Sequence, residues 1–339
     1  VEQTLGLVPS RTLQSETKVD GILCLNKPNG WTSHDVVAHV RRLTRIKRVG
    51  HAGTLDPMAT GVLLLCLGRA TRIAEYLMAG RKRYRGALRL GIRTDSHDAD
   101  GQVTATAPVN VTRAEVEKAL STFQGRIEQI PPMVSAIKRN GQPLYKLARR
   151  GITVERKARP VEIYELVLID WEPPSLVLEL TCTPGTYVRA LARDLGNELG
   201  CGAHLTALTR LASGDFTLSE AIELERFTVA VASGDSDLER ASCSADSLQA
   251  QTGKRTPAWH HLVMPMDAGL KHFPACTLGI QESQRVRSGQ HLPAELINAP
   301  QDKLCRAYAN LDSGQTLLAL LKFDKDAQVW RPHKVFHPL

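Results

Sequence analysis

The segment Val62–Leu67 (VLLLCL) is apolar at every position, and the loop before it, GHAGTLDPMATG at 50–61, carries three glycines and a proline. Six apolar residues suit a buried strand and fall far short of a membrane span. Covering such a strand takes a full-sized core, and 339 residues supply one with enough chain left for a second, smaller domain. Around this strand the local patterns come in mixed order. Gly21 onward (ILCLN), 84–91, 161–170 and 176–183 read as strands, the last two joined by WEPPS. Thr32 and Asp35 have capping-box spacing ahead of Val36, Val37, Val40 and Leu43, and Thr112 and Glu115 repeat it ahead of Val116, Ala119, Leu120 and Phe123. A third helix opens at Thr186, read as its cap, with Val188, Leu191, Ala192, Leu195 and Leu199 on one face. Shorter helices are expected near 70–79 and after Ser219. Without a steady βαβ alternation the pattern favours an α+β fold.

Composition shifts divide the chain. Residues 1–18 read as a disordered leader, and they lack the basic start and apolar block of a secretion signal. The Ser/Asp/Gln-rich stretch 232–258 reads as a linker or mobile insertion. Residues 259–271 connect it to a small β domain at 272–339, built from the runs CRAYANL, TLLALLKF and QVWRPHKVF. The stretch 131–151 is a long basic excursion from a compact core, the kind of loop that tends to carry function. Seven scattered cysteines without a CxxC pair read as core thiols, and Cys201 and His204 have no second pair to complete a zinc shell. The expected location is the cytoplasm.

A net charge of +8 is concentrated in three blocks: Arg41–Arg48, Arg69–Arg89 and Lys138–Arg159. One basic run is usually a solvated face. Three runs beside loops favour a polyanionic partner, since each neutralised phosphate releases counterions.

Asp56 precedes Pro57 in the glycine-rich loop, where an aspartate commonly starts a turn. His51 lies five residues before it, and the neighbouring sequence is basic. An exposed carboxylate beside cations stays ionised, as a nucleophile must. Arg189 falls in the first turn of its helix, where the helix dipole disfavours a cation. Either a carboxylate or phosphate pairs with it, or it extends into solvent. Tyr84 emerges from the cluster RKRYR, and aromatics interleaved with bases stack nucleobases; the competing reading is a strand tyrosine packed on its sheet. Lys27 either binds phosphate or supports the Asp56 loop from below. The loop lacks the GK[ST] ending of a phosphate-binding P-loop, DSHDADG lacks the ligands of a calcium loop, and no GxSxG nucleophile elbow occurs.

Five stretches, GILCLNKPNGWTSHDVV, RVGHAGTLDPMATGVLLLCLGRATR, KRYRGALRLGIRTDSHDADG, IPPMVSAIKRNGQPLYKLARRGITVERKARPVEIY and GTYVRALARDLG, together resemble the TruB family of tRNA pseudouridine synthases, in order and spacing, from about residue 19 to 227. The resemblance implies an α+β catalytic domain, 19–231, around a mixed, mostly antiparallel sheet, with 131–151 as an insertion that clamps RNA. It implies isomerisation of uridine 55 in the T arm of tRNA, with Asp56 as nucleophile, Tyr84 stacked on the target base and Arg189 paired with the aspartate. His51, Tyr187 and Leu208 match substrate-contacting positions. The stretch 272–339 resembles a PUA-type RNA-binding domain. No cofactor, metal, membrane or obligatory protein partner is implied, and a monomer acting on tRNA is expected. Two other readings fit parts of the sequence: an RNA-binding or RNA-folding module without essential chemistry, and a guide-RNA-dependent pseudouridine synthase.

Overall fold

The computed structural model describes residues 19–135, 137–139, 141–148, 150–152, 154–241, 258–311 and 314–337; the expected leader and residues 242–257 of the expected linker lie outside them. Strand β1 (Gly21–Lys27) leads through the KPNG turn into α1 (Ser33–Thr44). The α1 capping box forms: Thr32 Oγ1 accepts from the Asp35 N–H at 3.1 Å, and Asp35 Oδ2 accepts from the Thr32 N–H at 2.9 Å. Next come β2 (Val49–His51), the glycine-rich loop, β3 (Thr60–Leu67), a 3-10 turn at Gly68–Ile73 and α2 (Ala74–Ala79). β4 (Lys82–Leu90) precedes a hairpin of β5 (Ile92–Thr94) and β6 (Val103–Thr106), then α3 (Arg113–Ser121), which has its own Thr112–Glu115 capping box, and β7 (Gly125–Gln129). The basic excursion carries β8 (Lys138–Arg139), β9 (Gln142–Pro143) and α4 (Leu144–Ala148). β10 (Arg159–Glu172) and β11 (Ser175–Cys182) form the expected hairpin, followed by α5 (Val188–Glu198), β12 (Ala203–Ser213), β13 (Phe216–Thr217), β14 (Ile222–Glu223) and α6 (Leu224–Ala241). The C-terminal part holds β15 (Ala275–Leu278), the short α7 (Ile280–Arg287), β16 (Leu292–Pro293), β17 (Cys305–Leu311), β18 (Gly314–Asp324) and β19 (Val329–Val335).

The large sheet runs in the order β14-β1-β3-β12-β4-β11-β10-β7, with β2 against β3 and β13 against β12. Only β1/β14 and β3/β12 pair in parallel, so the sheet is mixed and mostly antiparallel. The apolar run in β3 has a simple cause. Leu63, Leu65 and Leu67 enter one core with Val36 and Val40 of α1, Leu191 and Leu195 of α5 and Phe227 of α6. Val62, Leu64 and Cys66 enter a second core with Leu77, Phe216 and Leu270, joined by Leu317, Leu320 and Phe336 from the C-terminal part. Both faces of β3 are covered, so no polar residue alternates. β4 lies farther along, where one face is open, and its burial alternates strictly: Tyr84 and Leu88 point inward, Arg83, Arg85 and Arg89 outward. The second sheet, β15-β17-β18-β19-β16, has its own core around Trp330, Leu318 and Leu321.

Two local expectations change. Thr186 does not cap α5: its Oγ1 donates back to the Thr183 carbonyl at 2.9 Å, and Tyr187 occupies the cap position without a side-chain bond. Helix α6 also extends through residue 241, into the stretch read as linker from 232. Leu224, Phe227 and Val231 anchor its first turns in the core, and extending a formed helix is far easier than starting one. No described helix is long and apolar enough to cross a membrane.

Candidate active site

Asp56 sits in the loop between β2 and β3, and that loop is held from several directions. Lys27 is fully buried, and its ammonium donates to the carbonyls of Pro28, Trp31 and Pro57 at 2.8, 2.6 and 3.0 Å. With its donors turned to backbone and no exposure, Lys27 supports the loop from below, and the phosphate-binding reading is corrected. Burial pushes its ammonium down to about 8, with Asp56 opposing, so it stays charged at neutral pH. Ser33 Oγ, at the start of α1, accepts from the Leu55 N–H at 2.9 Å. The Gly30 N–H donates to the Pro57 carbonyl at 2.9 Å.

Arg189, the second residue of α5, is 2% exposed and lies at the centre of the site. One terminal nitrogen donates to Asp56 Oδ1 at 2.8 Å and to the Val134 carbonyl at 2.8 Å; the other lies 3.3 Å from Asp98 Oδ2 and donates to the Ser96 carbonyl at 3.3 Å. Two carboxylates thus explain a cation at a helix start. The Asp56 side chain keeps 31% exposure, while Asp98 is buried. Burial raises the Asp56 carboxyl above its ordinary range, with the charge and hydrogen bond of Arg189 opposing.

Tyr84 and Tyr187 share this neighbourhood. Burial raises both phenols, and the charge of Asp56 adds to the rise in each. The β4 alternation sends Tyr84 into the first core and Arg83 and Arg85 to the opposite face, where both pair with Glu179 at 2.6 and 2.5 Å. The interleaving in RKRYR therefore separates the aromatic from its flanking bases. Tyr187 is anchored by Gln129, whose side chain donates to its carbonyl at 3.1 Å and accepts from its N–H at 2.8 Å. Leu208 is buried on β12, opposite Gly86 of β4. His51 ends β2, half-buried and edge-to-face with His34 at 5.1 Å; burial first, then His34 and Arg210, push it down to about 4, so the ring is neutral. Sequence reasoning missed Asp98, Gln129, Ser33 and Arg210. Only Asp98 had a local signal, as a carboxylate in the DSHDADG turn set aside as a failed calcium loop. Among the described residues no cluster of three or more potential metal ligands is assembled.

The comparisons with known proteins bear on this arrangement directly. Residues 41–188 match the family described as TruB family pseudouridylate synthase (N terminal domain), and residues 189–271 match the tRNA pseudouridylate synthase B C-terminal domain. The chain is 41% identical to the tRNA pseudouridine synthase B of Yersinia pestis (strain Pestoides F) over 85% of this chain and 84% of that protein. It is 40% identical to the protein of the same name from Ralstonia nicotianae over 96% of each. The chain belongs to the TruB family. Among solved structures, a Cbf5-Nop10-Gar1 complex matches with a TM-score of 0.69 at 24% identity, covering 94% of this chain and 85% of that one, a likeness of fold. The two TruB matches meet between Val188 and Arg189. The Asp56–Arg189 ion pair therefore joins the N-terminal TruB segment to the C-terminal one.

Proposed function

We propose that the chain converts uridine 55 in the T arm of tRNA to pseudouridine, with Asp56 as the nucleophile. The observation that carries this reading is the ion pair between partly exposed Asp56 and buried Arg189, in a chain 41% identical to a tRNA pseudouridine synthase B over most of both lengths. The reaction breaks the N1–C1′ bond, turns the base and forms the C5–C1′ bond. A proton leaves C5 and one is gained at N1, and Asp56 is regenerated, so nothing is oxidised or hydrolysed on balance. Arg189 keeps Asp56 ionised where burial alone would favour its protonation. Flipping the base out of its stack costs about a few kcal/mol, and Tyr84, with contacts from Tyr187, Leu208 and His51, offsets that cost at the base and sugar.

The excursion 131–151 would close over the T arm, and the β-rich part at 272–339 would act as a PUA-like RNA-binding domain. We assign the chain a cytoplasmic, monomeric role without an obligatory protein partner. The test is chemical mapping of pseudouridine in unmodified tRNA transcript incubated with the purified protein alone. A T-arm signal is expected at position 55. Binding without any signal would favour an RNA-binding module, and a signal that requires an added guide RNA would favour the guide-dependent reading.

A pH dependence follows from the Asp56 environment. The folded carboxyl titrates above the ordinary aspartate value because burial raises it. The nucleophile must be ionised, so the rate at saturating tRNA falls as pH drops through that raised value. The stability sign is opposite: protonation favours the fold, and that contribution disappears as pH rises through the folded value. A single-turnover pH–rate profile checks this, and an acid midpoint at or below that of an ordinary aspartate would contradict it.

A further inference from the structure

We propose that Arg210 is a positioning residue for the isomerisation, holding the Asp56 loop from inside the sheet. This rests on the reading of Asp56 as nucleophile. Arg210 lies on the central strand β12, opposite Gly61 of β3 on one side and Tyr84 of β4 on the other. It is 1% exposed. Its guanidinium donates to the carbonyls of Val62 at 2.6 Å, Gly53 at 3.1 Å and Thr54 at 3.4 Å. Those carbonyls bracket Asp56 in the chain, two before it and one after.

A buried cation bonded to carbonyls instead of a carboxylate is a costly way to fill space, and an apolar side chain of similar volume would fill it better. A planar fork, however, holds several backbone oxygens in one fixed plane, which neither an apolar chain nor the freely rotating ammonium of a lysine does. The grip is also well placed. Gly53 and Gly61 have φ of 103° and 100°, so the loop reverses at two conformationally permissive points. Arg210 holds the Gly53 carbonyl itself and the carbonyl of the residue after Gly61. At Gly61 a Cβ would strike the Arg210 backbone, so glycine is what lets β3 and β12 approach. Arg210 and Tyr84 are also cross-strand partners on β12 and β4, and the guanidinium opposes the rise that burial imposes on the Tyr84 phenol. One side chain thereby registers the nucleophile's loop against the strand that carries the base platform.

The test uses the full chain with Arg210→Lys and Arg210→Met, measuring single-turnover pseudouridine formation at saturating tRNA, tRNA affinity by filter binding, and thermal unfolding. Arg210→Lys is expected to remain folded and lose ~100-fold in rate with affinity changed by less than ~3-fold, since a small misplacement of a reacting group costs that much. Arg210→Met should lose at least as much. If Arg210→Met does not fold, Arg210→Lys decides. A folded Arg210→Lys with the wild-type rate, a loss shared equally by affinity and rate, or failure of both variants to fold would overturn the proposal. The unaltered protein runs alongside: no pseudouridine there would overturn the functional reading instead.

Discussion

Replacing Asp56 by asparagine is expected to abolish pseudouridine formation while leaving tRNA binding intact. The amide has nearly the same shape, and its Oδ1 can still accept from Arg189, now 2.8 Å from the carboxylate. What is lost is the anion. Removing an essential nucleophile costs on the order of 10⁴- to 10⁶-fold in rate, and the protein's affinity for unmodified tRNA transcript should shift by less than ~3-fold, because uniform binding is a separate quantity. Single-turnover mapping and filter binding measure the two halves independently. Substantial product from purified Asp56→Asn would remove Asp56 from the chemistry, and lost binding would make it a recognition residue.

Arg189→Met should damage both catalysis and the fold. The substitution leaves Asp56 and Asp98 as two carboxylates around a cation that is no longer present, and Asp98 is 5% exposed. Breaking a buried ion pair by removing one partner typically costs about 3–5 kcal/mol, which urea unfolding would read as a lower midpoint. The rate should fall ~10³-fold or more, as when a group stabilising charge in a dry site is removed. The acid limb of the pH–rate profile should also move upward, because burial would act on Asp56 unopposed by Arg189. Arg189→Lys should fall between, since one ammonium cannot reach Asp56, Asp98, Ser96 and Val134 together. Arg189→Met with unchanged stability and an unchanged acid limb would mean that the pair seen here does not govern Asp56.

What the sequence made legible is what short-range physics decides. The Thr32–Asp35 and Thr112–Glu115 capping boxes depend on three-residue spacing and form as expected. The apolar β3 run marks a central strand because both its faces are covered. Asp56 and Arg189 stand out locally, one by its glycine-rich loop and the other by a charge of the wrong sign for a helix start. The errors have physical causes too. Thr186 is a good cap by residue type, but its hydroxyl finds the Thr183 carbonyl first. The interleaving in RKRYR does not form one patch, because the period of the strand sends Tyr84 and its neighbouring arginines to opposite faces; the stacking proposed for Tyr84 does not draw on those arginines. Asp98, Gln129, Ser33 and Arg210 acquire roles only through contacts across the fold, and no local pattern specifies which backbone or side chain each will meet.

The ion pair at the centre of the site spans 133 residues of chain, and the Thr60–Thr209 contact beside the loop spans 149. During synthesis the Asp56 loop leaves the ribosome long before α5 and β12 exist to complete it. Such distant pairings form late, after the entropy of closing the intervening chain has been overcome. The proposed nucleophile therefore stays unarmed until the sheet closes. Conversely, a native molecule that transiently releases β12 would lose its chemistry while most of its helices remain folded. Pseudouridine formation would then report the closure of one strand pairing, well before any melting curve registers the loss.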